Sequence, residues 1–234
     1  MGDAGFREKP DTQVNEVIQS VMEILLVDDH SLFREGMELV LLRLDPTVTA
    51  RHASRPAEGV AEIRRIPPPA LVLCDLNLPG VSGAEMLLML REANHEVPVV
   101  VLAGSEDPAL VRLVIEQGAM GYIPKSCEPA EFERALEVIL SGGVYLPSVA
   151  MSLEPAGRRS GMLASQFTAR QIDVLRGLVQ GMPNKVIARE LGISDSTVKT
   201  HVTAVMQILQ VHTRTQAVYA VAKYGLALGG EPLR

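Results

Sequence analysis

The sequence predicts a doubly wound parallel α/β domain followed by a small all-helical one, and three observations carry that prediction. From Glu23 to Gly143, short apolar runs alternate with segments of helical periodicity, the pattern of a parallel sheet covered by helices on both faces. After residue 165, four helix-like segments follow one another. Charge divides at the same place: residues 1–145 carry 12 Lys and Arg against 23 Asp and Glu, and residues 165–234 carry 8 against 4. A chain of 234 residues is comfortable for two such domains.

The elements follow in order. Residues 1–22 start polar, with Gly and Pro, and then place Val14, Val17, Ile18 and Val21 at the spacing of one helix face. They read as a loosely ordered extension, because a complete domain starts at Met22. Residues 23–28 (EILLVD) are a strand, and 31–44 a helix with Ser31 as candidate cap. Residues 47–53 form a second strand and 55–65 a helix. Pro67-Pro68-Pro69 stops that helix and leads into the third strand, 70–75. A helix at 83–94, a strand at 97–103 and a helix at 107–117 stopped by Gly118 come next. A short fifth strand at 121–124 and a helix at 128–140, ended by Gly142-Gly143, complete the set. Five strands and five helices in this order suit the flavodoxin-like arrangement, a five-stranded parallel sheet with helices on both faces.

Residues 144–165 contain Pro, Gly, Ser and Arg with weak periodicity and read as a linker. The all-α part has helices at 168–180, stopped by Gly181, and 184–191, stopped by Gly192. A longer helix at 194–209 is capped by Ser194, and the last, 213–224, precedes Gly225. Helices joined through Gly192-Ile193 make a helix-turn-helix candidate. The expected division is an extension at 1–22, an α/β domain at 23–143, a linker at 144–165, a four-helix domain at 166–228 and a tail at 229–234.

Composition narrows the function. No apolar run approaches a membrane span, and the N-terminus lacks a secretory pattern, so no membrane partner and a cytoplasmic location are expected. Two cysteines, Cys74 and Cys127, fit a reducing compartment, and with five scattered histidines they offer no zinc-type spacing. An acidic front and a basic rear point to nucleic acid as partner of the rear.

The chemistry centres on ALVLCDLNLPGVSG, where a buried-type strand ends on Asp75 and turns through Pro79, Gly80 and Gly83. In open α/β sheets, ligands bind just beyond the carboxyl ends of the strands. A carboxylate there is costly unless a donor or cation meets it. Asp28-Asp29 follow the first strand and Lys125 the fifth. Three converging carboxylates repel one another and call for a hard cation, for which Mg²⁺ fits best. An Asp beside Mg²⁺ can act as a nucleophile toward phosphorus, with Lys125 binding a phosphoryl oxygen as a point charge. The other reading is that each acid merely solvates a strand end. Cys74 points to the opposite face and reads as a small apolar core residue.

As a set, ILLVDDH, LVLCDLNLPGVSG and GYIPKS occur in order on successive predicted strands and resemble a two-component receiver domain over residues 23–143. The resemblance implies that Asp75 is the phosphoacceptor and that Asp28 and Asp29 hold Mg²⁺. It also implies that Asn77 ligates the metal through its backbone carbonyl and that Lys125 contacts the phosphoryl group. Tyr122 would be the aromatic switch, the other reading being a packed residue on an edge strand. Two positions depart from the family: Ala103 stands where Thr or Ser is usual, and Ser126 where Pro often follows the lysine. Ser105, two residues on, offers a substitute hydroxyl.

In the segment 194–209, Val198, Val202, Val205, Met206 and Leu209 share one helix face, and Ser196, Lys199, Thr200, Thr203 and Gln207 the other. That polar face is short, uncharged or basic, and suits a major groove. The stretch FTARQIDVLRGLVQGMPNKVIARELGISDSTVKTHVTAVMQILQVHTRTQAV resembles the LuxR-type helix-turn-helix. The resemblance implies that Lys199, Thr200 and Thr203 face bases, that Thr197, Lys185 and Asn184 contact phosphates, and that the last helix pairs two copies. His201 reads as a packed helix residue. Pro183 and Val186 replace the family's capping box, leaving Asn184 as the alternative cap, and Ile208 replaces a usual basic residue.

Receiver, linker and this helix-turn-helix together are the architecture of the NarL/FixJ response regulators. The expected protein is a bacterial transcription factor to which a cognate sensor histidine kinase donates phosphate at Asp75. It would bind double-stranded promoter DNA as a homodimer on an inverted repeat, with RNA polymerase a further candidate partner. It is not expected to be an enzyme beyond its own phosphoryl transfer and dephosphorylation. The rival reading is an atypical receiver switched by a partner or by oligomerisation, motivated by Ala103. A Mg²⁺-dependent aspartyl-phosphate hydrolase is disfavoured, because no second general acid accompanies Asp75.

Overall fold

The structure, a computed structural model, describes residues 22–151, 163–226 and 228. The helical spacing read at residues 14–21, most of the second half of the 144–165 segment and the tail lie outside them. The first part runs β1 (Met22–Val27), α1 (Ser31–Leu44), β2 (Val48–Ala53), α2 (Pro56–Ile63), β3 (Leu71–Asp75), α3 (Gly83–Ala93), β4 (Val99–Ala103), α4 (Pro108–Glu116), β5 (Gly121–Pro124) and α5 (Pro129–Leu140). The strands form one parallel sheet in the order β2-β1-β3-β4-β5. Both faces are covered. Ile24, Leu26, Leu73, Leu102 and Ile123 pack with Leu41 and Leu136 of α1 and α5 on one side. Leu25, Val27, Val72 and Val101 pack with Ile63, Met86 and Val114 of α2, α3 and α4 on the other. Two-sided burial explains why every residue of β3 and β4 is buried and why these strands read as continuous apolar runs.

Strand order reverses between β1 and β3, and the site is built at that reversal. The register pairs Val27 with Cys74, so Asp28 and Asp75 reach the sheet end side by side. Lys125 arrives from the other direction: β4 pairs Ala103 with Pro124, and the Lys125 amide donates to the Ala103 carbonyl at 2.7 Å.

After a one-turn helix α6 (Ser148–Met151) come α7 (Ala169–Val179), α8 (Asn184–Leu191), α9 (Asp195–Leu209) and α10 (Arg214–Tyr224). They enclose their own core of Val174, Leu178, Ile187, Val198, Val205 and Val218 among others. Gly192, at φ 64, makes the left-handed turn between α8 and α9. Ser194 caps α9 by accepting from the Thr197 amide.

The start of the segment read as a linker is packed. Val144 and Ala150 are buried, and α6 lies against both α4 and α10. Four residues are too few for helical periodicity to register, and the partners lie far away in sequence. The two parts also touch directly. Thr215 donates its hydroxyl to the Met120 carbonyl, Gln216 Nε2 donates to the Glu116 carbonyl at 2.9 Å, and Lys223 pairs with Glu116 at 2.7 Å. Tyr219 is buried in the same apolar cluster as Val111 and Ile115. Gly143 lies so close to Gly181 that a Cβ there would sit 2.4 Å from its carbonyl oxygen.

Two capping expectations need correction. Ser31 is the first residue of α1 and not its cap: the N-cap is His30, whose own amide donates to Asp28 Oδ1 at 2.8 Å. Likewise Pro183, not Asn184, stands at the N-cap of α8. The Asn184 carboxamide oxygen accepts from Arg214 instead, at 2.7 Å.

Candidate functional site

Asp28, just past the end of β1, and Asp75, the last residue of β3, are 2% and 1% exposed, and carboxylates so buried need a partner. Lys125 supplies one, with Nζ 2.6 Å from Asp28 Oδ2 and 2.9 Å from Asp75 Oδ2. The ammonium is itself held over the Phe33 ring, 4.3 Å from its centre. Arg34 donates to the Asp28 carbonyl, tying the strand end to α1. Asp29 is exposed beside Asp28, and His30 Nδ1 lies 3.1 Å from Asp28 Oδ1 and 2.9 Å from Asp29 Oδ1. Asp75 Oδ1 is buried without a hydrogen-bond partner.

The residues fit a hard cation. One donor atom each from Asp28, Asp29, His30 and Asp75 lies within 4.8 Å of every other. An octahedral shell with bonds of about 2.0–2.1 Å spans about 4.2 Å between opposite ligands, a little less than this spread. The orphaned Asp75 oxygen is the atom such a cation would satisfy. Asn77 is exposed, two residues beyond Asp75 and between the buried Leu76 and Leu78, on the loop that leads to the Ser82–Glu85 capping box of α3.

Tyr122 is fully buried among the α3–α4 side of the core, on the edge strand β5, and its hydroxyl donates to the Ser105 carbonyl. Burial pushes its phenol up to about 12, helped by the nearby Glu106 and Asp107 carboxylates. Ala103 is buried in the same cluster. Ser105, the candidate substitute hydroxyl, is exposed, and its Oγ accepts from the Asp107 amide at 3.1 Å in the turn that starts α4, which leaves its O–H free to donate. Cys74 is buried on the Tyr122 side, where desolvation pushes its thiol far up, reinforced by the Asp75 and Asp28 charges.

In the helical domain, Lys199, Thr200 and Thr203 are exposed on one face of α9, while Val198, Val202, Val205 and Leu209 are buried on the opposite one. The Thr200 and Thr203 hydroxyls donate to the Ser196 and Lys199 carbonyls, leaving acceptor lone pairs and methyls outward. Lys199 pairs with Asp195 at 2.9 Å. Thr197 is exposed at the start of α9, its hydroxyl 2.8 Å from that of Ser194, and Lys185 is exposed on α8. Asn184 is half-buried by its bond to Arg214. His201 is half-buried, as a packed helix residue would be.

Sequence reasoning missed His30, Phe33, Arg34 and Arg214. His30 was legible in principle, being a ligand-type residue adjoining two acids. Arg214 carried no signal, since a cation in the first turn of α10 opposes the helix dipole. Its donation to the Met182 carbonyl and to Asn184 accounts for it, and burial brings its guanidinium down to about 10.

An acidic, lysine-bridged cage at the switch point of a doubly wound sheet, joined to a helix-turn-helix, is the arrangement of a receiver coupled to a DNA-binding module. Residues 24–137 match the response regulator receiver domain, and residues 165–221 match bacterial regulatory proteins of the luxR family. The nitrate/nitrite response regulator protein NarL of Escherichia coli (strain K12) is 36% identical over 205 residues, covering 85% of this chain and 94% of that protein. The transcriptional regulatory protein DegU of Brevibacillus brevis is 32% identical over 232 residues, covering 91% and 97%. Among solved structures, a LuxR-family two-component response regulator from Aurantimonas sp. SI85-9A1 is 33% identical at a TM-score of 0.50, covering 56% of this chain and 94% of that one. The chain belongs to the NarL-type response regulators: it is a transcription factor of a two-component system, with a receiver and a LuxR-type DNA-binding domain. Among the described residues, no helix is long and apolar enough to cross a membrane.

Proposed function

We propose that Asp75 is the phosphoacceptor, with Mg²⁺ held by Asp28, Asp29, Asp75 and the backbone carbonyl of Asn77. The observation that supports this best is Lys125 bridging Asp28 and Asp75 while Asp75 Oδ1 stays buried and unpaired. Mg²⁺ would offset the charge of the incoming phosphoryl group. Asp75 supplies the attacking oxygen, and Lys125 steadies a phosphoryl oxygen. A cognate sensor histidine kinase is the donor, and beyond this transfer and its reversal the chain is not an enzyme. Labelling from a small phosphodonor tests the assignment: wild type should incorporate phosphate only with Mg²⁺, and Asp75→Asn should not. Equal incorporation by Asp75→Asn would remove Asp75 from the role.

The output is sequence-specific binding of double-stranded promoter DNA in the cytoplasm, with RNA polymerase a further partner. Lys199, Thr200 and Thr203 read base edges, while Lys185, Thr197 and Asn184 contact phosphates. Two copies pair through α10. Thr215, Gln216, Tyr219 and Lys223 of that helix are engaged by the receiver in this structure, whereas the base-reading face of α9 is exposed. Receiver control therefore falls on pairing more than on access to bases.

A further inference from the structure

We propose that the His30 imidazole is a further ligand of the acidic cage and tilts it toward a borderline transition-metal cation. This rests on reading the cage as a cation site. Lys125 engages Asp28 Oδ2 and Asp75 Oδ2, so the oxygens it leaves to a cation include Asp75 Oδ1, Asp28 Oδ1 and Asp29 Oδ1, beside the Asn77 carbonyl proposed above. His30 Nδ1 stands 3.1 and 2.9 Å from the last two, hydrogen-bonded to Asp28 Oδ1 in this structure. Those separations match adjacent corners of an octahedron with bonds of about 2.1 Å, whose edges are about 3 Å. The ring is placed by its backbone: the His30 amide donates to Asp28 Oδ1 at 2.8 Å, and the residue is the extended N-cap of α1. The unpaired, buried Asp75 Oδ1 is the independent sign that the cage holds a ligand.

Carboxylates alone suit Mg²⁺, whereas an imidazole nitrogen adds affinity for softer divalent ions, increasingly so from Mn²⁺ to Co²⁺ and Ni²⁺. The competing account is that the ring is an internal partner of the acids, which any cation must displace. The two accounts give opposite signs. The experiment is calorimetric titration of the full chain with Mg²⁺ and with Co²⁺, supported by the visible absorption of bound Co²⁺. The proteins are wild type, His30→Ala, His30→Gln and Asp29→Ala. His30 is exposed, so its variants should fold.

His30→Ala should weaken Co²⁺ about ten- to a hundredfold, change Mg²⁺ by no more than about twofold, and alter the Co²⁺ spectrum. His30→Gln, which keeps a donor and presents an oxygen, should hold Mg²⁺ but not restore Co²⁺. Unchanged Co²⁺ affinity in His30→Ala, an equal loss of both ions, or tighter binding of both would overturn the proposal. Asp29→Ala should weaken both ions. Unchanged binding of both in that variant would overturn the cage reading itself, a failure distinguishable from that of His30.

Discussion

Lys125 bridges two carboxylates that would otherwise face each other out of water, and offsets one of their two charges. Removing one partner of a buried ion pair typically costs about 3–5 kcal/mol. Lys125→Ala should therefore be destabilised by about that much in chelator, with Mg²⁺ restoring part of it. Urea denaturation with and without Mg²⁺ checks this, and a variant as stable as wild type in chelator would show that the acids are not coupled through the lysine. Tyr122 gives a second test at the same scale. Its phenol is pushed up to about 12 in the folded chain, whereas in the unfolded chain it titrates near 10. Between these values the unfolded chain has lost a proton that the folded chain keeps, so stability should fall as pH rises from about 10 to about 12. Tyr122→Phe should flatten that fall in thermal melts, while losing the hydrogen bond to Ser105, worth about 1 kcal/mol. An alkaline slope identical in both proteins would place the titrating group elsewhere, for instance at Tyr145 or Tyr219, whose phenols are also raised.

Among the elements, α9 is where sequence and function meet most openly. Lys199→Ala should cost about 1–3 kcal/mol on specific DNA if the lysine reads a base edge. If it touches only phosphate, binding should fall alike on all sequences with a shallower salt dependence. Fluorescence anisotropy on specific and random duplexes separates the two, and no change on either would take Lys199 out of the interface. The face was legible because one helix carries a full apolar stripe opposite acid-free polar positions. β3 and β4 were legible for a different reason, two-sided burial making their apolar runs unbroken. Convergence of Asp28, Asp75 and Lys125 could be inferred from strand order, since each follows a separate strand at the same sheet end. The caps were less legible: Ser31 and Asn184 are cap-type residues that fall one position inside their helices, whose N-caps are His30 and Pro183, and the Asn184 oxygen is taken by the Arg214 guanidinium.

For the whole molecule, the contact of α10 with α4 and α6 was invisible in the sequence, because Thr215 and Met120 are far apart along the chain and share no periodicity. Thr215→Val would leave the Met120 carbonyl short of a donor at a buried seam, a loss of about 1–3 kcal/mol. The variant should open the two domains and favour pairing without phosphate. Sedimentation velocity would detect this as a concentration-dependent shift absent from wild type, and an unchanged monomer would mean the seam does not restrain α10. At the end of β4, Ala103 lacks the hydroxyl that, in the function proposed above, would bond a phosphoryl oxygen. Such a bond to a charged group contributes about 1.5–3 kcal/mol, and losing it would cut the active-state bias by about one to two orders of magnitude. A ligand shifts a two-state equilibrium only by its differential affinity for the two states. The most direct measurement is thus DNA affinity with and without phosphodonor, in wild type and in Ala103→Thr. Phosphate should change the affinity little in wild type and strongly in Ala103→Thr. A large phosphate effect in wild type that Ser105→Ala leaves intact, or no gain in Ala103→Thr, would contradict the account.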